Sequence, residues 1–437
     1  MRRITRIETL FDAGLLFVFI YAPALTFVPF ALSKLVLAFL IGFTLLHQNV
    51  LKRILWDFSV RKFLRTFLWV ILFILCYFLI LTIGTKNNNF VFVQQSVWLI
   101  LEGLIGSVLM FNYLTSKYDL KEIFRILLGV ITFQSIVVIL TFFSVGLRDL
   151  INAVLVVSDE RHISSYRMRG LSNGGGAGLS YVQALGSLVA GVLMIFDKPS
   201  RLKYLFCAVV ILISQMFIAR TGLIFSFLLL FSTLVQEAYN RKSFLRLLWQ
   251  FVFGGILIAV VFRLAMSLMS DQTRIIFDEL VLNRAFEFYY NYEDSGTLET
   301  RSTTALENMY FLPKHDLGLL FGEGLWDVAG QNASTLVYGR KVNSDVGFVR
   351  MIFAFGIILT TIYYGVYILF LREIYKSSHG RDILILLLTL FLIFVLGETK
   401  EPFLIRMSGT SKILVLFYLF MMYYNRKNSN LITGYAK

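Results

Sequence analysis

The chain's 437 residues are 57% hydrophobic and 16% charged, with a mean hydropathy of +0.74. No soluble domain of this length buries so much apolar surface, so soluble classes are excluded and an all-α integral membrane protein is expected. The net charge of +14 would suggest nucleic acid in a soluble chain, but here basic loop residues near anionic headgroups account for it, and no nucleic-acid partner is expected.

Apolar runs of membrane-spanning length predict about 12 spans. They are Leu10–Thr26, Phe30–Leu46, Phe67–Ile83, Val93–Asn112, Phe124–Ser144 and Leu179–Phe196. The remaining six are Tyr204–Ile218, Gly222–Gln236, Trp249–Leu268, Gly347–Leu371, Ile383–Gly397 and Ile413–Tyr424. No small-residue cleavage site ends the first run, which is expected to be retained as a span. Cys76 and Cys207 both fall inside apolar runs, so neither a disulfide framework nor a cysteine metal site is indicated.

An even number of spans puts both termini on one side, and the positive-inside rule makes that side cytoplasmic. The inside segments carry Arg2, Arg3 and Arg6; Lys52, Arg53, Arg61, Lys62 and Arg65; Lys117, Lys121 and Arg125; and Lys198, Arg201 and Lys203. Further on come Arg241, Lys242 and Arg246; Arg372, Lys376 and Arg381; and Arg426, Lys427 and Lys437. Short outside loops are poorer in charge, except Glu398–Lys412 with Lys400, Arg406 and Lys412. The two longest outside loops, 145–178 and 271–345, are also basic.

Three polar features share the outside. Arg167-Met168-Arg169 precedes a glycine-rich stretch, 173–178, at the mouth of the sixth span. A glycine turn opening a helix offers backbone N–H groups to an anion, and the arginines add phosphate donors. The glycines fit a plain flexible turn as well, which on spacing alone is the simpler reading. Arg220, in Ala219-Arg220-Thr221-Gly222, has almost no loop around it, so it is either a functional interfacial charge or an arginine snorkelling to headgroups. The loop 271–345 contains two predicted helices: a helical pattern over Asp271–Tyr292, and a second helix over Thr297–Phe311 carrying Glu299, Arg301 and Glu307. His315 has no partner at metal-ligand spacing and no metal site is expected. Asp345 stands at the lip of the tenth span, as its N-cap or as a general base.

The order of these residues resembles the bacterial O-antigen polymerase (Wzy) and O-antigen ligase superfamily. The resemblance runs from Arg220-Thr221-Gly222 opening a span, through Arg301 in a long outside loop and Gly322-Glu323-Gly324, to Asp345-Val346-Gly347-Phe348 and Phe355-Gly356-Ile357. It implies residues 1–270 as a membrane domain with spans one to nine, 271–345 as a large periplasmic loop, and 346–437 as spans ten to twelve. It further implies a glycosyltransferase of the bacterial inner membrane, without cofactor, nucleotide sugar or metal. Such an enzyme polymerises undecaprenyl-diphosphate-linked oligosaccharide repeat units into surface polysaccharide such as lipopolysaccharide O-antigen, alongside a chain-length regulator.

On that resemblance Asp345 and Arg301 are the catalytic candidates, and Arg167, Arg169, Arg220 and Arg301 the diphosphate ligands. One departure stands out. Ligases carry a His-Asn pair ahead of the aromatic that is Phe348 here, and Asp345 and Val346 fill those positions, which favours polymerase over ligase. A flippase for lipid-linked oligosaccharide is the alternative from another class. It would share the arginines, but transporters show repeated halves and midplane charges. Here no clear internal repeat is evident, and within the predicted spans Lys34, Glu102 and Arg263 are the candidate buried charges.

Overall fold

The computed structural model describes residues 5–84, 90–156, 167–241, 277–283, 286–297, 299–307, 309–326, 344–377, 379–406 and 408–424, with isolated positions between them. Every predicted span except the ninth is helical, and the ninth lies largely outside the described residues.

Helix α1, Arg6–Tyr21, opens on a capping box: the Thr5 hydroxyl accepts from the Glu8 amide at 3.3 Å, and the Glu8 carboxylate accepts from the Thr5 amide at 2.9 Å. It closes at Ala22, which is left-handed at φ 46°, just before Pro23. Helices α2, Ser33–Leu46, and α3, Gln48–Val60, meet at 107°. The segment with Lys52 and Arg53, expected as an inside loop, is thus an amphipathic helix turned away from the direction of α2. That geometry suits a helix lying in the headgroup plane.

Next come α4, Lys62–Gly84; α5, Val91–Thr115, with a π-helical stretch at Leu99–Gly106; α6, Leu120–Phe143; and α7, Val145–Val154. Asp119 and Ser144 cap α6 and α7 through their side chains. Helix α8, Gly176–Phe196, is the axle of the bundle, with 94% of its apolar window buried. It packs against α6, against α9, Arg201–Ile218, and against α10, Arg220–Arg241. A Cβ at Gly186 would stand 2.5 Å from Ile131 Cγ2, so glycine lets α6 approach this closely.

The long polar segment holds α11, Glu287–Ser295; α12, Arg301–Glu307; α13, Asp316–Phe321; and a two-residue β pair, Leu336–Val337 with Arg340–Lys341. The expected helix over Thr297–Phe311 is shorter, Arg301–Glu307, and starts after Thr300, whose hydroxyl accepts from the Thr303 amide at 3.2 Å. The bundle is completed by α14, Gly347–Lys376; α15, Leu384–Glu398; the short α16, Phe403–Arg406; and α17, Ser408–Tyr424.

The protein is a multi-pass helical membrane protein. Among the described residues seven helices are long and apolar enough to cross, or eight if α2 and α3 form one broken span. Helices α1, α15 and α17 have 16, 15 and 17 residues. At about 1.5 Å rise per residue each falls short of the roughly 30 Å hydrocarbon core.

One correction concerns Lys412. Read from sequence as an outside-loop charge, it lies within α17, fully buried, and pairs with Glu102 of the π-helical stretch at 2.6 Å. Its ammonium also donates to the Phe19 carbonyl at 2.7 Å, and Ser33 donates to the same carboxylate at 3.1 Å. The basic outlier among the outside loops therefore loses one of its charges to the core.

At the end of the bundle holding the termini of α8 and α17, Asp197 takes Lys121 and Arg125, Asp12 takes Lys117, and Asp57 lies by Arg61. The opposite end receives the polar segment. Glu323 and Gly324 donate their amides to the carbonyls of Phe353 and Ala354 at 2.8 and 3.2 Å. Those carbonyls are free because α14 breaks at Gly356, at φ 79°. Three aromatic contacts tether the segment further: Tyr77 Oη donates to the Phe321 carbonyl at 2.6 Å, Tyr310 Oη to the Thr399 carbonyl at 2.8 Å, and Trp326 Nε1 to Gln95 Oε1 at 2.9 Å.

Candidate functional site at the mouth of the bundle

Four segments meet at this end: the start of α10, the residues before α8, the start of α14, and the turn 399–402 that follows α15. Each reaches the mouth for a local reason. Ala219 is extended between α9 and α10, so Arg220 becomes the first residue of its helix and Thr221 the second. Glycine at 222 is required there, since a Cβ would stand 2.6 Å from Ser180 Cβ. The turn 399–402 closes through Lys400 and Glu401 amides on the Gly397 carbonyl at 3.0 and 2.9 Å. It lies directly against α14, because a Cβ on Gly347 would be 2.9 Å from Pro402 Cα.

Arg220 forms an ion pair of 2.6 Å with Glu287 of α11, each side chain about one-fifth exposed. It joins the bundle to the polar segment, which a headgroup-snorkelling arginine would not do. Beside it the Lys400 ammonium donates to Thr221 Oγ1 at 2.8 Å. Arg220, Arg167, Glu401 and Asp345 are all close enough to act on the Lys400 charge. Burial, first, and the two arginines pull the Lys400 pKa below the usual lysine range, against the two carboxylates.

Asp345 is about half exposed and is not the N-cap of α14. That position belongs to Val346, and Asp345 Oδ1 instead receives Arg350 at 3.2 Å. Arg350 is buried and also donates to the Ser344 carbonyl, so it fixes the carboxylate from below.

The two arginines of the first feature part company. Arg167 is exposed at the mouth, whereas Arg169 is buried. Arg169 donates to the Val156 carbonyl at 2.6 Å, to Asn152 Oδ1 at 3.1 Å and to the Leu155 carbonyl at 3.3 Å. It closes the C-terminal end of α7 and has little left to offer a ligand. Arg169→Ala is expected to cost about 2 kcal/mol or more by orphaning those carbonyls, and Arg167→Ala less than about 0.5 kcal/mol. Thermal melting of the two purified variants checks the contrast. Equal midpoints would remove the structural role of Arg169.

The glycine-rich stretch starts α8 at Gly176, with Gly175 as a cap that offers no side chain. Of Arg301 the backbone alone is described, as the first residue of α12, so its expected catalytic and diphosphate-binding role falls on a side chain outside the described residues. His315 is exposed at the cap position of α13.

Sequence reasoning missed Lys400, Glu287, Glu401 and Arg350. Lys400 carried a signal, as part of the basic outlier among outside loops. The other three had none beyond their charge.

No family model matches the chain, and neither the curated proteins nor the solved structures contain a match to it.

Proposed function

We propose that this protein is a glycosyltransferase that polymerises undecaprenyl-diphosphate-linked oligosaccharide repeat units at the periplasmic face of a bacterial inner membrane, with both termini cytoplasmic. The observation that carries the reading is the convergence of Arg167, Arg220 and Lys400 with the Asp345 carboxylate at one mouth of the bundle. A lipid diphosphate sits at the membrane interface and calls for several cations there, held on short, rigid connections. An acceptor hydroxyl calls for a carboxylate near those cations, and Asp345, oriented by Arg350 and half open to solvent, serves as general base. The acceptor oxygen bonds to the anomeric carbon, the carbon–oxygen bond to the diphosphate breaks, and the lipid diphosphate leaves with the electron pair. The acceptor proton passes to Asp345. Arg301 stands in this reading on the resemblance, and Arg169 serves as scaffold. The basic residues on paired carboxylates at the far end support the orientation.

The test is deletion of the gene in its host with profiling of surface glycan, complemented by wild type, Arg220→Ala or Asp345→Asn. Glycan limited to a single repeat unit, restored by wild type but at least about 100-fold less by either variant, is the expected result. Polymer that accumulates on the carrier lipid without reaching its acceptor would make the protein a ligase. Single lipid-linked units trapped on the cytoplasmic face would make it a flippase and end the catalytic reading.

A further inference from the structure

We infer that Lys400 is a working cation of the mouth, neutralising the charge that develops on the departing diphosphate, and that its protonation sets the alkaline limit of transfer. The inference rests on the proposed reaction and adds a residue and a pH dependence to it.

Lys400 lies in the turn that follows α15, and four hydrogen bonds immobilise that turn. Two are the Lys400 and Glu401 amides on Gly397. The others are the Leu404 amide on Glu398 Oε1 at 2.9 Å and the Tyr310 hydroxyl on the Thr399 carbonyl. An ammonium has three donors. Among the described residues one is used, on Thr221 Oγ1, and no carboxylate lies within ion-pairing distance of it.

Three other lysines are treated differently. Lys117, Lys121 and Lys412 each hold a carboxylate at 3.0, 2.5 and 2.6 Å. A half-buried ammonium with two donors to spare, beside two arginines, is costly unless an anion completes it. Thr221 aims that ammonium at the N-terminus of α10, where backbone N–H groups add to the positive field. In the reaction the diphosphate gains one negative charge as the anomeric bond breaks, and the lysine keeps its proton throughout. It contributes charge and hydrogen bonds, not a proton.

The pH dependence follows from the surroundings. Facing Lys400 are Glu401 in its own turn, Arg220 on α10, Arg167 before α8, and Asp345 before α14. Glu398 ends α15 nearby, and Tyr310 reaches in from the polar segment. Burial and the arginines outweigh the carboxylates, so the ammonium deprotonates at lower pH than an ordinary lysine. Transfer should therefore decline with rising pH before free lysines titrate.

The experiment uses the full-length protein in proteoliposomes with a lipid-diphosphate-linked repeat unit, comparing wild type, Lys400→Gln and Lys400→Arg from neutrality to about pH 10. Lys400→Gln should lower the rate about 100-fold at neutral pH. Lys400→Arg, whatever its absolute rate, should lose the alkaline decline because guanidinium stays charged. A wild-type alkaline decline that persists unchanged in Lys400→Arg overturns the pH role, and a Lys400→Gln enzyme with wild-type rate overturns the residue's role altogether.

A binding arm separates these failures from failure of the proposed reaction. A short polyprenyl diphosphate and inorganic pyrophosphate are titrated against each protein in nanodiscs. If wild type transfers nothing yet binds either anion, with weaker binding in Lys400→Gln, the cation site stands while the polymerase reading falls. Preference for the polyprenyl compound marks a lipid ligand, and equal affinity a free anion. If neither anion binds to wild type, the site is refuted.

Discussion

Lys412→Ala should destabilise the protein by about 3–5 kcal/mol, the largest loss expected from any single side chain, because it strands Glu102 in the bundle without its partner. The pair is sealed: Lys412 is fully buried and Glu102 nearly so, and the ammonium is shared between Glu102, the Phe19 carbonyl and the face of the Phe19 ring at 4.7 Å. Glu102 lies in the π-helical stretch of α5, flanked by Gly103 and Gly106. A Cβ on Gly103 would stand 3.1 Å from Ser411 Cβ, and one on Gly106 3.0 Å from the Phe19 ring. Three helices thus close around the charges. Lys412→Met with Glu102→Gln removes both charges at similar volume and should recover most of the loss. Thermal midpoints of the two variants and wild type in one detergent decide it. A Lys412→Ala midpoint equal to wild type would mean that Glu102 finds another partner, and the sealed pair would be no source of stability.

The same pair marks where the sequence stops being informative. Hydropathy located the apolar helices, because a window of about 20 residues averages over local detail. It could not separate Lys400 from Lys412, two lysines of one basic stretch, because the difference between them is a helix boundary. Helix α17 begins at Ser408, not after Lys412, and one extra turn carries the lysine from the surface into the core. Arg167 and Arg169 were likewise equivalent by composition. Chain direction at the end of α7 turned Arg169 inward onto carbonyls, and no periodicity reports that. Arg220 was legible, since an arginine in an almost absent loop has few places to go. Its partner Glu287 was not, being brought there by the fold of the polar segment. Helix ends escape the sequence for a related reason: an apolar run records composition, whereas Ala22 before Pro23, and the bend between α2 and α3, set where a helix stops.

Gly356→Ala and Gly322→Ala should each cut the proposed transfer activity by at least about 100-fold while leaving the helical bundle folded. Both glycines have positive φ, 79° and 82°, which alone strains a Cβ-bearing residue by about 1–3 kcal/mol. They also face each other across a backbone-to-backbone contact. A Cβ on Gly322 would stand 2.5 Å from Phe355 Cα, and one on Gly356 would run into the Leu320 carbonyl and stand 2.6 Å from the Phe321 amide nitrogen. No rotamer relieves such a clash, so α13 must lift from α14. The hydrogen bonds from the Glu323 and Gly324 amides to the Phe353 and Ala354 carbonyls then break, at about 1 kcal/mol each.

That strip of backbone fixes the polar segment at the mouth, where Glu287 meets Arg220 and Tyr310 meets the Lys400 turn, so loosening it disperses the cations from the carboxylate. Gly365, on the same helix with open space around its Cα, is the control, and alanine there should be neutral or slightly stabilising. Limited proteolysis supplies a readout apart from activity, with cleavage between residues 287 and 326 faster in the two active-end variants and unchanged in Gly365→Ala. If all three variants behave alike, the docking of the polar segment onto the broken helix has no part in assembling the site.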